Sequence, residues 1–89
     1  MKTLPQKNNN IICDIVYKKE NIIINLQNRN SFFLNEDAHK VWEEIDGKRT
    51  SKDIINYLSS FYLTPKGTIK LIYNNLIKRL KKAGFINIV

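Results

Sequence analysis

The feature that most constrains this chain is a change in hydrophobic period at Asn35. Before it, apolar residues come in short β-branched and aromatic runs: Ile11 to Tyr17, Ile22 to Leu26 and Ser31 to Leu34. Such runs favour strands. They are separated by the polar stretches Lys18 to Asn21 and Gln27 to Asn30, about four residues each. Loops this short join antiparallel neighbours, because a parallel pair needs a crossover of a dozen residues or more. The second stretch also suits a turn because asparagine tolerates positive φ. After Asn35 the apolar residues recur at helical spacing. Asn35 is a suitable N-cap, Glu36 and Asp37 match the positive end of a helix, and Ala38, Val41, Trp42 and Ile45 form one stripe closed by Asp46-Gly47. Thr50 to Asp53 approximates a capping box, and Ile54, Ile55, Leu58 and Phe61 supply the buried side of a second helix. Thr64-Pro65 opens a third helix, with Thr64 as cap and Pro65 at the first helical position. Gly84 stops it, and its core stripe is Ile69, Ile72, Tyr73, Leu76, Leu80 and Ala83. The apolar tail Phe85 to Val89 docks on the core or adds a short strand. The order is three strands, then three helices, an α+β domain over residues 11–89. Residues 1–10, with Pro5 and Asn8 to Asn10, are expected to form a flexible tail.

At 89 residues the chain suits one domain. No apolar run is long enough to span a bilayer, the N-terminus lacks a signal-peptide core, and a single cysteine cannot form an internal disulfide. These features point to the cytoplasm. The net charge is +7, and residues 64–89 alone carry +6, with no acidic residue after Asp53. A basic segment of this kind implies an anionic partner: nucleic acid, a membrane surface or an acidic polypeptide.

The residues for catalysis are scarce. The chain has one His and one Cys, His39 and Cys13, and its three glycines are isolated, so it offers neither a zinc ligand set nor a phosphate loop. His39 reads as an exposed helical histidine, and Cys13 as a small buried residue of its strand. No catalytic residue, metal or cofactor is expected, and the chain is not expected to be an enzyme.

Two features suggest binding. In a three-strand meander an outer strand presents unpaired N–H and C=O groups, and Ser31-Phe32-Phe33-Leu34 carries none of the charges or prolines that usually protect an edge. On the third helix, Leu71 lies off the core arc among Asn75, Lys78, Arg79 and Lys82, so an apolar anchor is bordered by cations.

From Leu34 onward the residues resemble a known family. Leu34-Asn35, Ala38, Val41-Trp42, Ile45-Asp46-Gly47, Thr50 and Asp53-Ile54 follow the pattern L-N-x-x-[GA]-x-x-[IV]-W-x-x-[LI]-D-G-x-x-[ST]-x-x-[DE]-[IL], and the likeness continues through Leu80 to Gly84-Phe85-Ile86. That pattern is similar to the coenzyme PQQ synthesis protein D family, the recognition element for ribosomally made precursor peptides. The resemblance implies a winged-helix-like fold and a non-enzymatic role: capture of a leader peptide as an added strand, and its presentation to a modifying enzyme such as a radical-SAM protein, a cyclase or a leader peptidase. It implies contacts from Ser31, Phe32 and Phe33 on the strand and from Leu71, Ile72, Asn75, Leu76 and Arg79 on the helix; the open edge and the cationic helix face extend these to Leu34 and Lys82. The chain departs from the family at Lys40, where an apolar residue is usual, and in a third helix without acids, which suggests an acidic leader. The competing reading is a winged-helix nucleic-acid-binding protein. It fits the charge, but the strands precede the helices and the basic helix offers few base-reading groups beyond Asn75 and Arg79.

Overall fold

The computed structural model describes residues 3–17 and 20–89. The elements are β1 (Pro5–Lys7), β2 (Ile11–Tyr17), β3 (Glu20–Asn25), β4 (Ser31–Leu34), α1 (Glu36–Glu44), α2 (Ser51–Tyr62), α3 (Lys66–Lys82) and β5 (Ile86–Ile88). β2, β3 and β4 form an antiparallel sheet in that order, with Ile23 opposite both Cys13 and Phe32. Three helices follow, so the fold is the expected α+β, winged-helix-like arrangement.

The helix boundaries follow from local hydrogen bonding. Asn35 Oδ1 accepts the Ala38 N–H at 2.8 Å and starts α1. Thr50 and Asp53 form a reciprocal capping box at α2: Thr50 Oγ1 accepts the Asp53 N–H, and Asp53 Oδ2 accepts the Thr50 N–H. Between them, Asp46 Oδ1 accepts the Lys48 and Arg49 N–H groups, which holds its carboxyl below the usual carboxylate range. Gly47 adopts φ +77°, as its place after α1 predicts. Trp42, Ile45, Ile54, Leu58, Tyr73, Leu80 and Phe85 are buried together with Ile23 and Leu34 of the sheet in one core.

Several expectations change. Residues 5–7 are not a loose tail: β1 pairs with β5, Pro5 opposite Ile88 and Lys7 opposite Ile86, because the apolar C-terminal residues offer it an edge. Lys7 Nζ lies 4.6 Å from the Trp42 ring centroid, and burial lowers the pKa of that ammonium. Lys18 and Lys19, expected in a hairpin loop, lie outside the described residues, whereas Glu20 and Asn21 belong to β3 and Leu26 to the turn after it. The left-handed residue of that turn is Arg29, not an asparagine. α3 has Pro65 as its N-cap, with no side-chain hydrogen bond, because the Thr64 hydroxyl donates to the Tyr62 carbonyl instead. Phe61 is 54% exposed rather than buried, under the Lys40 ammonium and stacked on Tyr57. Cys13 is also exposed, at the outer strand of the sheet. His39 is half-buried, with Nδ1 3.0 Å from Glu43. On α3, Ile77 is buried and Ile72 is 56% exposed, the reverse of the predicted stripe on that side. β5 packs on α3, where Ile88 lines one cavity together with Ile77, whereas Ile72 lines the open cavity on the other flank.

Candidate peptide-binding groove

β4 pairs with β3 on one side only, and among the described residues no strand pairs with its other side. Its side chains alternate in burial as a half-buried strand requires. Phe32 and Leu34 turn toward the helices, and Ser31 and Phe33 toward the opposite face. Phe32 meets Phe85 edge-on, ring centroids 6.0 Å apart, and the Arg79 guanidinium lies 5.0 Å from its centroid. β4 and α3, the two elements singled out from the sequence, therefore meet through Phe32 and Arg79.

Beside this contact lies a cavity of about 540 Å³. α3 supplies Ile69, Ile72, Tyr73, Asn75, Leu76 and Arg79; α1 and its cap supply Asn35, Asp37, Ala38 and Val41; the end of α2 supplies Leu58, Tyr62 and Thr64. The lining is mainly apolar with a few polar groups at the edge, as in sites that bind a side chain with specificity. The Tyr62 hydroxyl donates to Asp37 Oδ1 at 3.0 Å and joins the α1 and α2 walls. Burial, then this hydrogen bond, pushes the Tyr62 phenol up to about 12. Another cavity, of about 600 Å³, lies on the other flank of α3 with Lys52, Lys66 and Lys70 in its lining, away from the strand edge.

The structure divides the predicted site residues into groups. Ile72, Asn75, Leu76 and Arg79 line the cavity. Ser31, Phe32 and Phe33 lie on the edge strand, but Phe33 points away from α3. Leu34 is 0% exposed, so only its backbone is available to a ligand. Leu71 and Lys82 are exposed on the outer flank of α3, beyond the cavity lining. The sequence reading missed the wall made by Asp37, Leu58, Tyr62 and Thr64. Tyr62 falls on the apolar arc of α2, four residues after Leu58, but that stripe was read only as far as Phe61, and nothing in its spacing marks its hydroxyl as a partner for α1.

Asparagines tie the end of α3 to the sheet; from the sequence Asn28 and Asn30 read as turn residues, Asn25 as part of a strand and Asn8 as part of the tail. Asn25 Nδ2 and Asn8 Nδ2 donate to the Gly84 carbonyl at 2.7 and 2.6 Å, and Asn30 Nδ2 and Asn28 Nδ2 donate to the Ala83 carbonyl at 2.9 and 3.2 Å. The carbonyls that end α3 are thus bound to the β3–β4 turn and to the segment after β1. Gly84, at φ +85°, leaves room for the Asn28 amide, which a Cβ would strike.

Among the described residues, no group of three potential ligands could hold a metal ion, and no helix is long and apolar enough to cross a membrane.

The fold and site define a small winged-helix-like domain in which an open sheet edge runs beside a helix-walled cavity. The chain belongs to the coenzyme PQQ synthesis protein D (PqqD) family, whose model matches residues 20–86. Its fold is similar to that of TbiB1, solved in complex with the TbiA(beta) leader peptide. The two superpose with a TM-score of 0.81 over 92% of this chain and 94% of the other, at 12% identity. No curated protein sequence matches the chain.

Proposed function

We propose that this protein is a non-enzymatic recognition module that binds the leader of a ribosomally made precursor peptide as an extra strand on β4 and presents it to a modifying enzyme. The open β4 edge beside the cavity is the observation that carries the reading. Family membership and the likeness to a domain bound to a leader peptide support it. Strand addition suits this edge physically: main-chain hydrogen bonds supply affinity and register, and pockets for alternate side chains supply specificity. Leader side chains on the inner face enter the cavity against Ile72 and Leu76, while carboxylates meet Arg79 at the rim. The basic, acid-free α3 favours an acidic leader and speeds its approach. The enzyme partner belongs to the classes the family serves (radical-SAM proteins, cyclases and leader peptidases), and the complex is placed in the cytoplasm.

The test is a ¹⁵N chemical-shift map with a synthetic leader of the precursor, together with affinities of variants. Arg79→Ala is expected to weaken binding by about 1 kcal/mol, chiefly through slower association that salt obscures. Ile72→Asp is expected to cost on the order of 2 kcal/mol or more, and Leu71→Asp much less, because Leu71 lies outside the cavity. Shifts that spare both β4 and α3 would refute this binding mode.

A further inference from the structure

The last turns of α2 carry an exposed aromatic shelf. Tyr57 and Phe61 stack with centroids 6.0 Å apart, and Phe61 meets Tyr62 edge-on at 4.9 Å. Lys40 Nζ lies 4.6 Å from the Phe61 centroid and 5.3 Å from that of Tyr57. The next residue, Leu63, is 91% exposed and sits in the left-handed region at φ 51°. Such a position after a helix usually holds glycine or asparagine, which adopt it with less strain. Leucine here is unfavourable twice over, once in backbone conformation and once in exposed apolar surface. Neither the fold nor the capping of α2 requires its side chain, because the cap is made by the Leu63 N–H to the Ser59 and Ser60 carbonyls. Contiguous exposed apolar surface of this kind marks an interaction site.

The position of the shelf indicates what covers it. Tyr62 belongs both to the shelf and to the cavity wall, so the two surfaces are continuous. β4 ends at Leu34, Asn35 caps α1, and Asp37 in the first turn of α1 holds the Tyr62 hydroxyl. A peptide paired along β4 that continues past Leu34 therefore runs toward Tyr62.

We propose that the shelf formed by Phe61, Tyr62 and Leu63 is a second contact for the same leader. It receives a large apolar or aromatic side chain from the segment that flanks the added strand at the Leu34 end. This rests on the strand-addition reading and extends the contact beyond the four residues of β4. It gives the leader a two-part signature: an alternating stretch that pairs with β4, and a separate apolar anchor a few positions away.

The experiment uses a display library of random 16-residue peptides selected on the full chain. Winning peptides are then measured against wild type, Leu63→Asn/Phe61→Gln and Ile72→Asp. Leu63→Asn suits the left-handed position, and the double variant is expected to melt no lower than wild type by more than a few degrees, so lost binding does not report unfolding. The expected result is enrichment of an apolar anchor beside the strand segment, with affinity about tenfold weaker on the double variant and lost on Ile72→Asp. Peptides that bind wild type and the double variant equally, yet fail on Ile72→Asp, overturn the shelf and leave the groove standing. Peptides indifferent to Ile72→Asp overturn both. Self-association of the free protein that the double variant abolishes also overturns the proposal, because the shelf is then covered by a second copy.

Discussion

Asn25 offers the most direct test of how the groove is held together. It is buried at the end of β3, and its amide faces two ways. Oδ1 accepts the Gln27 and Asn28 N–H groups at 2.8 and 3.2 Å, closing the turn into β4, and Nδ2 donates to Gly84 at the end of α3. Asn25→Ala removes three hydrogen bonds at a site with little access to water. At about 0.5–1.5 kcal/mol each, with turn N–H groups left unsatisfied, the cost is about 2–4 kcal/mol. That is a large share of the stability of a domain this size. Asn25→Asp separates the two roles. It keeps the acceptor for the turn but sets a carboxylate oxygen against the Gly84 carbonyl, and it is expected to cost about 1–3 kcal/mol at neutral pH. Urea denaturation followed by tryptophan fluorescence gives both values. With a slope near ~1 kcal/mol/M, Asn25→Ala moves the midpoint down by roughly 2 M or more. An Asn25→Ala midpoint within about 0.5 M of wild type would refute this role for Asn25, and an Asn25→Asp variant as stable as wild type would show that the bond to Gly84 contributes nothing.

Trp42→Ala is expected to cost about 3–5 kcal/mol, because the buried indole packs in the core and has Lys7 over its ring; a near-wild-type denaturation midpoint would contradict that placement. Tyr62 has a phenol pKa raised from 10.0 to about 12, so its stabilising contribution is complete below pH 10 and is lost as pH rises toward 12. Between pH 9 and 11.5 the denaturation midpoint of wild type should therefore fall more than that of Tyr62→Phe, and equal falls would remove the Asp37 contact from the account. Duplex DNA is expected to bind weakly and without sequence preference, fading as salt rises through ~0.2 M; tight binding to one sequence at physiological salt would favour the nucleic-acid reading.

Much of the fold was legible because its signals are local. The period change at Asn35, the capping box from Thr50 to Asp53 and the glycine at 47 each act through neighbours in sequence, and each falls where expected. The free edge at Ser31 to Leu34 was presumed rather than read, since a meander has two outer strands and the sequence does not say which of them another element covers. The failures are non-local. Nothing within residues 5–7 announces a partner at residues 86–88. The reversal of Ile72 and Ile77 depends on that same partner, because β5 packs on one flank of α3 and not on the other. The site was half legible. A helical wheel places Ile72, Asn75, Leu76 and Arg79 on adjoining faces, but the wall built by Tyr62 and Asp37 needs two helices to meet. Asn28 and Asn30 were read by backbone preference and Asn25 only as a strand residue, whereas what matters at all three is the reach of an amide to the end of another element.

The β1–β5 ribbon has a consequence for how the domain assembles. Its contacts join residues almost a full chain length apart, such as Asn8 to Gly84 and Asn87 to Asn8. A pairing of that span gains nothing until the intervening chain has closed, so the ribbon zips late. With only three residues in each strand, it is also expected to open from the native state before the three-stranded sheet does. Each opening withdraws Asn8 from Gly84 but leaves Asn25 in place. Amide exchange is therefore expected to be fast through β1 and β5 and slow at the end of α3, so the groove outlasts the opening of the strands that bring the two chain ends together.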